Sequence, residues 1–448
     1  MKKGRGWIVA DVLLLGVVAA APLMMGQGIE STVKGVVDKS LTGPTSLLAQ
    51  NGLNSYVKVS EHTYSRGALD SSETLKVDLG CPGQQSTRLE FKNRIQHGPF
   101  PGFNSMGLAS VDTELVLPAP VQSQLDRAFG GQKWKVHTLV NFDGSSTSTL
   151  NLPAGSVDQD GTRMEWQAGS GQVRSSGGGT SGVYSLNFPK AVVTTANSEG
   201  VTLENLRLEG NTQQLKDYKN LTQASQKASL GRMSFKAGGQ TVALENLNLD
   251  TGSRIQGDDS GFDFALQAGK LSFNKQSVSD ITLKLGMDKL KAASLEQLMG
   301  ASGSLTSNVC NPSSVDPTSL GLKLISPLLE LLQGGPRLRV DRFAFKVPEG
   351  ETVLSGSAEF ADAASVNLTN FSTAALEQLK AKLSFSSSQK ALSSIVTAFG
   401  GAADSVEQGL VSFEQGGFIK KSGDALSSEL KFENKKLTVN GQEIPLGL

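Results

Sequence analysis

The chain has 448 residues and carries 42 Lys plus Arg against 42 Asp plus Glu, so it has no net field of the kind that gathers nucleic acid. Aromatics make up 6% and charged residues 19%, while glycine numbers 50. That composition suits many short strands joined by turns, argues against a thick globular core, and at this length allows two or three domains or one elongated one.

Lys2, Lys3 and Arg5 precede WIVADVLLLGVVAAAPLMMG, residues 7–26. As a helix rising about 1.5 Å per residue, the run spans about 30 Å, the thickness of a bilayer core. The basic flank is expected to stay cytoplasmic while the remainder crosses. Asp11 lies near the cytoplasmic end, where its carboxylate still reaches the interface. Ala19-Ala20-Ala21 satisfies the small-residue rule of a cleavage site, but Pro22 would then be the first mature residue and the apolar run continues through Met25. A retained anchor over 1–27 is therefore favoured over a cleaved signal.

Ile29, Val33, Val36, Val37 and Leu41 recur at helical spacing within 28–52, a juxtamembrane helix ending near Gly43-Pro44. Alternation then takes over. Strands are expected over 56–69, 73–79, around RLEFKNRIQHGPF, over 110–117, and over 133–152, with turns near Arg66-Gly67 and at Asp143-Gly144. VQSQLDRAF, 121–129, reads as a short helix closed by Gly130-Gly131. AGSGQVRSSGGGTSG, 168–182, reads as a long hairpin loop between strands. VTLENLRL at 201–208 recurs as VALENLNL at 242–249 and loosely as VSDITLKL at 278–285, and GRMSF at 231–235 recurs as GKLSF at 269–273. This echo is either a repeated supersecondary unit or a coincidence of alternating leucines. Helices are expected over 289–303, 320–333 (apolar on most sides, with Pro327 in its first turn or at a kink) and 389–413, broken at Gly400-Gly401. Hairpins are expected over 337–361 and 427–446, the last turning at Glu433-Asn434-Lys435.

The fold class is thus α+β, mainly β: a large curved antiparallel sheet of many strands, partly covered by a few helices, with one N-terminal transmembrane helix. The body, 53–448, is read either as a single body or as two lobes with a soft boundary near 160–185. Cys81 and Cys310 either pair, closing a very long loop, or stand as two free thiols; the residues leave both open.

Chemistry is sparse. No GxSxG elbow occurs, and the glycine-rich 168–182 stretch lacks the Gly-Lys-Ser/Thr ending of a phosphate loop. Asp258-Asp259 sits in a polar turn and reads as solvated rather than calcium-binding. His62, His97 and His137 are the only imidazoles. His97 lies at a strand exit stiffened by Pro99 and Pro101, with Phe100 and Phe103 expected to drop into the core.

Tyr64-Ser65-Arg66-Gly67, His97-Gly98-Pro99-Phe100-Pro101, the Asp143-Gly144-Ser145-Ser146 turn, and Leu437-Thr438-Val439-Asn440-Gly441-Gln442 before Ile444-Pro445-Leu446 together resemble the YdgA-like family of bacterial inner-membrane and periplasmic proteins. The alternating-leucine strands look like those of AsmA-like envelope proteins, an analogy of pattern. The resemblance implies location and architecture more than activity. Tyr64, Arg66, Gly67, His97, Gly98, Pro99, Phe100, Asn440 and Gly441 are read as structural, and no catalytic, cofactor or metal residue is assigned. The expected protein is non-enzymatic, single-pass in the inner membrane with most of its chain in the periplasm, and binds an apolar ligand such as lipid. The alternatives are a scaffold for another envelope protein, with a homodimer open, and, least favoured, an envelope hydrolase.

Overall fold

The computed structural model describes Leu41 and residues 56–445, apart from short stretches at 68, 85, 275, 307–309, 311–316, 362–363, 365, 368–375 and 399–400. The expected anchor and nearly all of the expected juxtamembrane helix lie outside these residues. Among the described residues, no helix is long and apolar enough to cross a membrane. The described residues fold mainly as β, with 22 strands in an antiparallel sheet and few helices. Two compact units can be distinguished. The first holds the described residues up to Ala191, with Leu208–Asn220 and Met299–Gly321; the second holds Val192–Arg207, Leu221–Leu298 and the chain from Leu322 onward. The division falls inside a strand, after Ala191; residues 160–185 belong to strands and turns of the first unit.

In the first unit, β1 (Val57–Arg66), β2 (Asp70–Leu79), β3 (Thr87–His97), β4 (Ala109–Val116), β5 (Lys135–Val140) and β6 (Ser146–Leu152) pair in chain order. The hairpin β7 (Gly155–Gln159)–β8 (Thr162–Trp166) follows, and β9 (Gly169–Ser175) then joins β6 to β10 (Ser181–Thr195). Side chains alternate across a strand, so β2 buries Ser71, Glu73, Leu75, Val77 and Leu79 on one face. The apolar members pack with Leu41, Val57, Leu89 and Phe91, and burying each such side chain contributes about 1.5–3 kcal/mol. A second cluster, Ile95, Ala109 and Val111, packs against Tyr64. The helix Ala119–Ala128 ends at Gly130 and Gly131, whose φ values of 60° and 79° are left-handed, the usual stop for a helix. Cys81 and Cys310 are joined by a disulfide with Cα atoms 5.1 Å apart.

The second unit explains the sequence echo. β11 (Gly200–Gln214), whose residues from Leu208 on belong to the first unit, β12 (Thr222–Ala237), β13 (Gln240–Gln256), β14 (Asp259–Phe273) and β15 (Gln276–Lys291) are long strands. Within them Asn205, Asn246 and Asp280 have φ of 58°, 55° and 49°. Asn and Asp are the side chains that best tolerate this left-handed region. Each sits where the apolar alternation slips by one residue: Val242 and Leu244 precede Asn246, whereas Leu247 and Leu249 follow it. The neighbouring strands slip at the same level, at Gly231 and Gly269. A Cβ at Gly231 would lie 3.0 Å from the Asn205 side chain, and one at Gly269 would lie 3.2 Å from that of Asn246. Because both strands slip together, Leu stays opposite apolar partners on either side: Met233↔Leu244↔Leu271 and Leu230↔Leu247↔Ala268. The echo is a repeated strand unit with a built-in phase shift, since an unmatched slip would turn the apolar set to the other face.

The sheet continues through β16 (Arg337–Val347), β17 (Gly350–Phe360) and β18 (Leu379–Ser388). β19 (Lys420–Ser422), β20 (Ala425–Glu433), β21 (Lys436–Val439) and β22 (Gln442–Ile444) complete it, β20 pairing with β18 on one side and with β19 and β21 on the other. The turn at Asn434-Lys435 is left-handed at both residues, φ 55° and 61°, the geometry that matches strand twist. Leu249, Leu266, Leu283, Phe343, Leu354 and Phe385 form one apolar row across six strands. Four helices accompany this sheet in sequence: Ala292–Thr306, Pro317–Gln333, Gln389–Ala398 and Ala403–Gln415. The first starts later than the pattern suggested because β15 runs on to Lys291. Pro327 is not in the first turn, because the helix begins at Pro317; it lies in the helix interior and is buried.

Two outcomes are expected. Asn246→Val should lower stability by about 1–2 kcal/mol while Asn246→Gly stays within about 1 kcal/mol, measured by urea unfolding. Replacing both cysteines, Cys81→Ser with Cys310→Ser, should cost about 2–5 kcal/mol, seen as a lower melting temperature for first-unit signals.

Candidate functional site

The buried face of the first unit carries a polar row as well as an apolar core. Glu73 lies at its centre, acceptor-only when ionised, and both carboxylate oxygens are engaged. His62 Nε2 lies 2.8 Å from Oε1, and Asn93 Nδ2 donates to Oε2 at 2.8 Å. Thr113 Oγ1 in turn donates to Asn93 Oδ1 at 2.6 Å. Glu73, Asn93 and Thr113 are each only 5% exposed. The row runs across β1, β2, β3 and β4 because the register sets Glu73 opposite Asn93 and Asn93 opposite Thr113. Two residues earlier on β2, Ser71 Oγ lies 2.9 Å from His97 Nε2.

A serine bonded to an imidazole is half of a hydrolytic constellation, so its setting matters. Ser71 is 3% exposed and stands opposite Ile95 in the core. Among the described residues, no carboxylate bonds the second ring nitrogen of His97. The Ser71 hydroxyl therefore reads as a satisfied core group. His62 and His97 share this face, whereas His137 points from the other one and pairs with Asp112 Oδ1 at 2.8 Å, half-exposed. Among the described residues, no group of three or more His, Cys, Asp or Glu is placed to hold a metal ion. Asp258 and Asp259 are exposed where β13 turns into β14.

The motif positions fall mainly at strand ends. Gly67 N donates to Asp70 O at 2.7 Å, closing the β1–β2 turn that follows exposed Arg66. His97 N donates to Leu69 O at 2.9 Å, and Gly98 N to Leu108 O at 2.7 Å. A Cβ on Gly98 would fall 2.1 Å from Gly107 O, so only glycine fits there. The Gly98-Pro99 peptide is cis, and Pro99 O accepts from Gly107 N at 3.1 Å. Phe100 and Phe103 do not enter the core: they are 55% and 90% exposed, and Pro101 is the buried residue of the loop. Left-handed φ values at Gly102 (60°) and Phe103 (59°) direct the chain this way, a conformation that costs a non-glycine residue about 1–2 kcal/mol. In the β5–β6 turn, Asp143 accepts from the Ser145 hydroxyl and backbone N–H, which hold its carboxyl below the usual range. Tyr64 packs on the second apolar cluster, and its buried hydroxyl has no partner among the described residues. Asn440 and Gly441, φ 55° and 89°, make the last turn. The Asn440 side chain accepts from Glu429 N and donates to Gly417 O, each at 2.9 Å.

A different kind of site lies in the second unit. Met287, Leu338 and Ala358 form one cross-strand row on β15, β16 and β17. Ile325, Leu328, Leu329, Leu331 and Leu332 of the helix Pro317–Gln333 face them. With Leu290, Pro336 and Phe360 they line a cavity of about 620 Å³, and every lining residue is apolar. Met287, Ile325, Leu328 and Leu338 remain 37–48% exposed, so the cavity is open to solvent. On the opposite face, Arg254 and Arg339 interlace with Asp263, Asp288 and Asp341. The signal of this cavity in the sequence is the all-round apolar character of the helix; its floor is built from the consecutive strands β15, β16 and β17, and the helix that faces them is encoded between β15 and β16.

Geometry and composition define a β-rich protein with an apolar-lined cavity and a closed polar core. Residues 1–447 match the family model described as a bacterial protein of unknown function (DUF945), and the chain belongs to that family. Among curated proteins, none matches the sequence.

The two carboxylate–imidazole contacts should behave differently. Glu73→Ala takes the carboxylate partner from His62 Nε2 and Asn93 Nδ2 and should cost about 3–5 kcal/mol. Asp112→Ala, which breaks the half-exposed pair with His137, should cost less than about 1 kcal/mol. Chemical denaturation followed by circular dichroism checks both.

Proposed function

We propose that the protein is a non-enzymatic component of the bacterial cell envelope, anchored by residues 7–26, whose second unit binds an apolar chain such as a lipid acyl tail. The observation that carries this reading is the cavity beneath the helix Pro317–Gln333, lined by apolar residues alone. Its volume of about 620 Å³ is that of a small-molecule site. Leaving apolar surface wet is unfavourable by about 25 cal/mol per Å², so a ligand covering Met287, Ile325, Leu328 and Leu338 gains that term. The envelope setting is supported by the basic-flanked apolar run, by the Cys81–Cys310 disulfide, which suits an oxidising compartment, and by the likeness to YdgA-like and AsmA-like proteins.

A scaffold role is the second reading. The helix Ala403–Gln415 leaves Val411 and Phe413 46% and 53% exposed. Protein partners that stay bound after lipid is stripped would favour it.

Lipid extracted from the full chain, purified in mild detergent, should contain bound phospholipid or fatty acid. Met287→Glu with Ile325→Glu places carboxylates where an acyl chain would lie. It should reduce bound lipid by about tenfold or more, because burying an unpaired charge costs well over the 1.4 kcal/mol that a tenfold change represents. An unchanged melting temperature would show that the fold is kept. A wild-type chain free of lipid, or equal lipid on the variant, would overturn the reading.

A further inference from the structure

The geometry points to a second apolar contact, in the first unit: the loop end of its sheet inserts into the interfacial layer of a phospholipid bilayer. Leu69, Phe100, Phe103, Met106 and Phe142 are 76%, 55%, 90%, 64% and 51% exposed. They come from the β1–β2, β3–β4 and β5–β6 connections, which lie side by side. His97 N, at the start of the β3–β4 loop, donates to Leu69 O at 2.9 Å, and Leu108 N, at its end, donates to Val140 O at 2.8 Å.

Four observations favour a bilayer as the occupant. The left-handed backbone at Phe103 is an unfavourable conformation whose result is the most exposed ring of the group, and such outliers mark functional positions. The loop also satisfies its own backbone. Gly98 N, Phe103 N and Gly107 N donate to Leu108 O, Phe100 O and Pro99 O, so entry into a medium of low polarity strands none of these groups. The neighbouring charges, Arg66 and Arg94 with Asp70, Asp112 and Asp143, carry no basic excess, leaving an apolar rather than an electrostatic attraction. Finally, the chain that precedes β1 holds the apolar run at 7–26. Leu41 is held in the core beside Val57 and Leu75, so residues 27–40 set the reach, at most about 50 Å when extended; the length of β1 is about 33 Å, and the loop end lies within reach of the membrane that holds the anchor. This last point rests on the anchoring proposed above; the first three do not.

The test uses the full chain reconstituted in phosphatidylcholine vesicles. Its two cysteines are paired, so Phe103→Cys supplies a single thiol for an environment-sensitive fluorophore. Thr162→Cys, in the β7–β8 hairpin beyond the other end of β6, serves as the control, and Leu69→Cys is a second tip site should Phe103→Cys fold poorly. The label at 103 or 69 should shift to the blue and lose emission to lipids carrying quenchers on their acyl chains, while the label at 162 does neither. Three results would overturn the inference: no quenching at the tip sites, equal quenching at 162, or label-to-label quenching at 103 in detergent that disappears on dilution with unlabelled chain, which would assign the patch to a second copy. Cavity binding is read by lipid extraction and tip insertion by position-specific quenching, so either can fail without the other.

Discussion

A long antiparallel sheet with apolar residues on one face is coherent only if every strand keeps that face in register with its neighbours. Period two makes this unforgiving, since a slip of one residue inverts a strand. In the second unit the slips are present but matched. Asn205, Asn246 and Asp280 take up the phase in left-handed conformations, and Gly231 and Gly269 yield on the strands beside the first two. The apolar rows continue past these points, and Met287, which floors the cavity with Leu338 and Ala358, lies downstream of the slip at Asp280. The cavity thus takes one strand of its floor from the repeated unit.

The two units solve the problem of a covered face differently. The first buries polar side chains within its core and satisfies them through Glu73, Asn93 and Thr113, with Ser71 and His97 alongside. Such a network adds little net stability but penalises any register that breaks it. The second leaves its apolar face half-covered and partly open between helix and strands. One core is closed by specific hydrogen bonds; the other keeps room.

Much of the fold was legible in the sequence. Alternation located β1 to β6 closely, and turn residues marked Gly67, Gly144 and Asn434-Lys435. The echo of VTLENLRL in VALENLNL was visible, although its meaning required φ values. The site was far less legible. Phe100 and Phe103 read as core because aromatics usually are, yet both are exposed, Phe103 where the backbone at 102 and 103 is left-handed. Glu73 and Asn93 looked like outward polar residues between apolar ones, yet they fall on the buried parity of β2 and β3. The cavity was hidden because Met287, Ile325 and Leu338 meet only through tertiary structure, and the sequence left the cysteine pairing open because 229 residues separate Cys81 from Cys310.

That separation also bears on how the molecule is made. The first unit gathers residues up to Ala191, then Leu208–Asn220, then Met299–Gly321, with the long strands of the second unit encoded in between. It cannot be completed as it leaves the ribosome. Its early strands must wait, partly assembled, until about the three-hundredth residue has been synthesised and Cys310 can reach Cys81. Assembly is therefore governed by the arrival of a late segment rather than by the N-to-C order of the domains, and the aromatic loop tips at Phe100 and Phe103 are exposed throughout that wait.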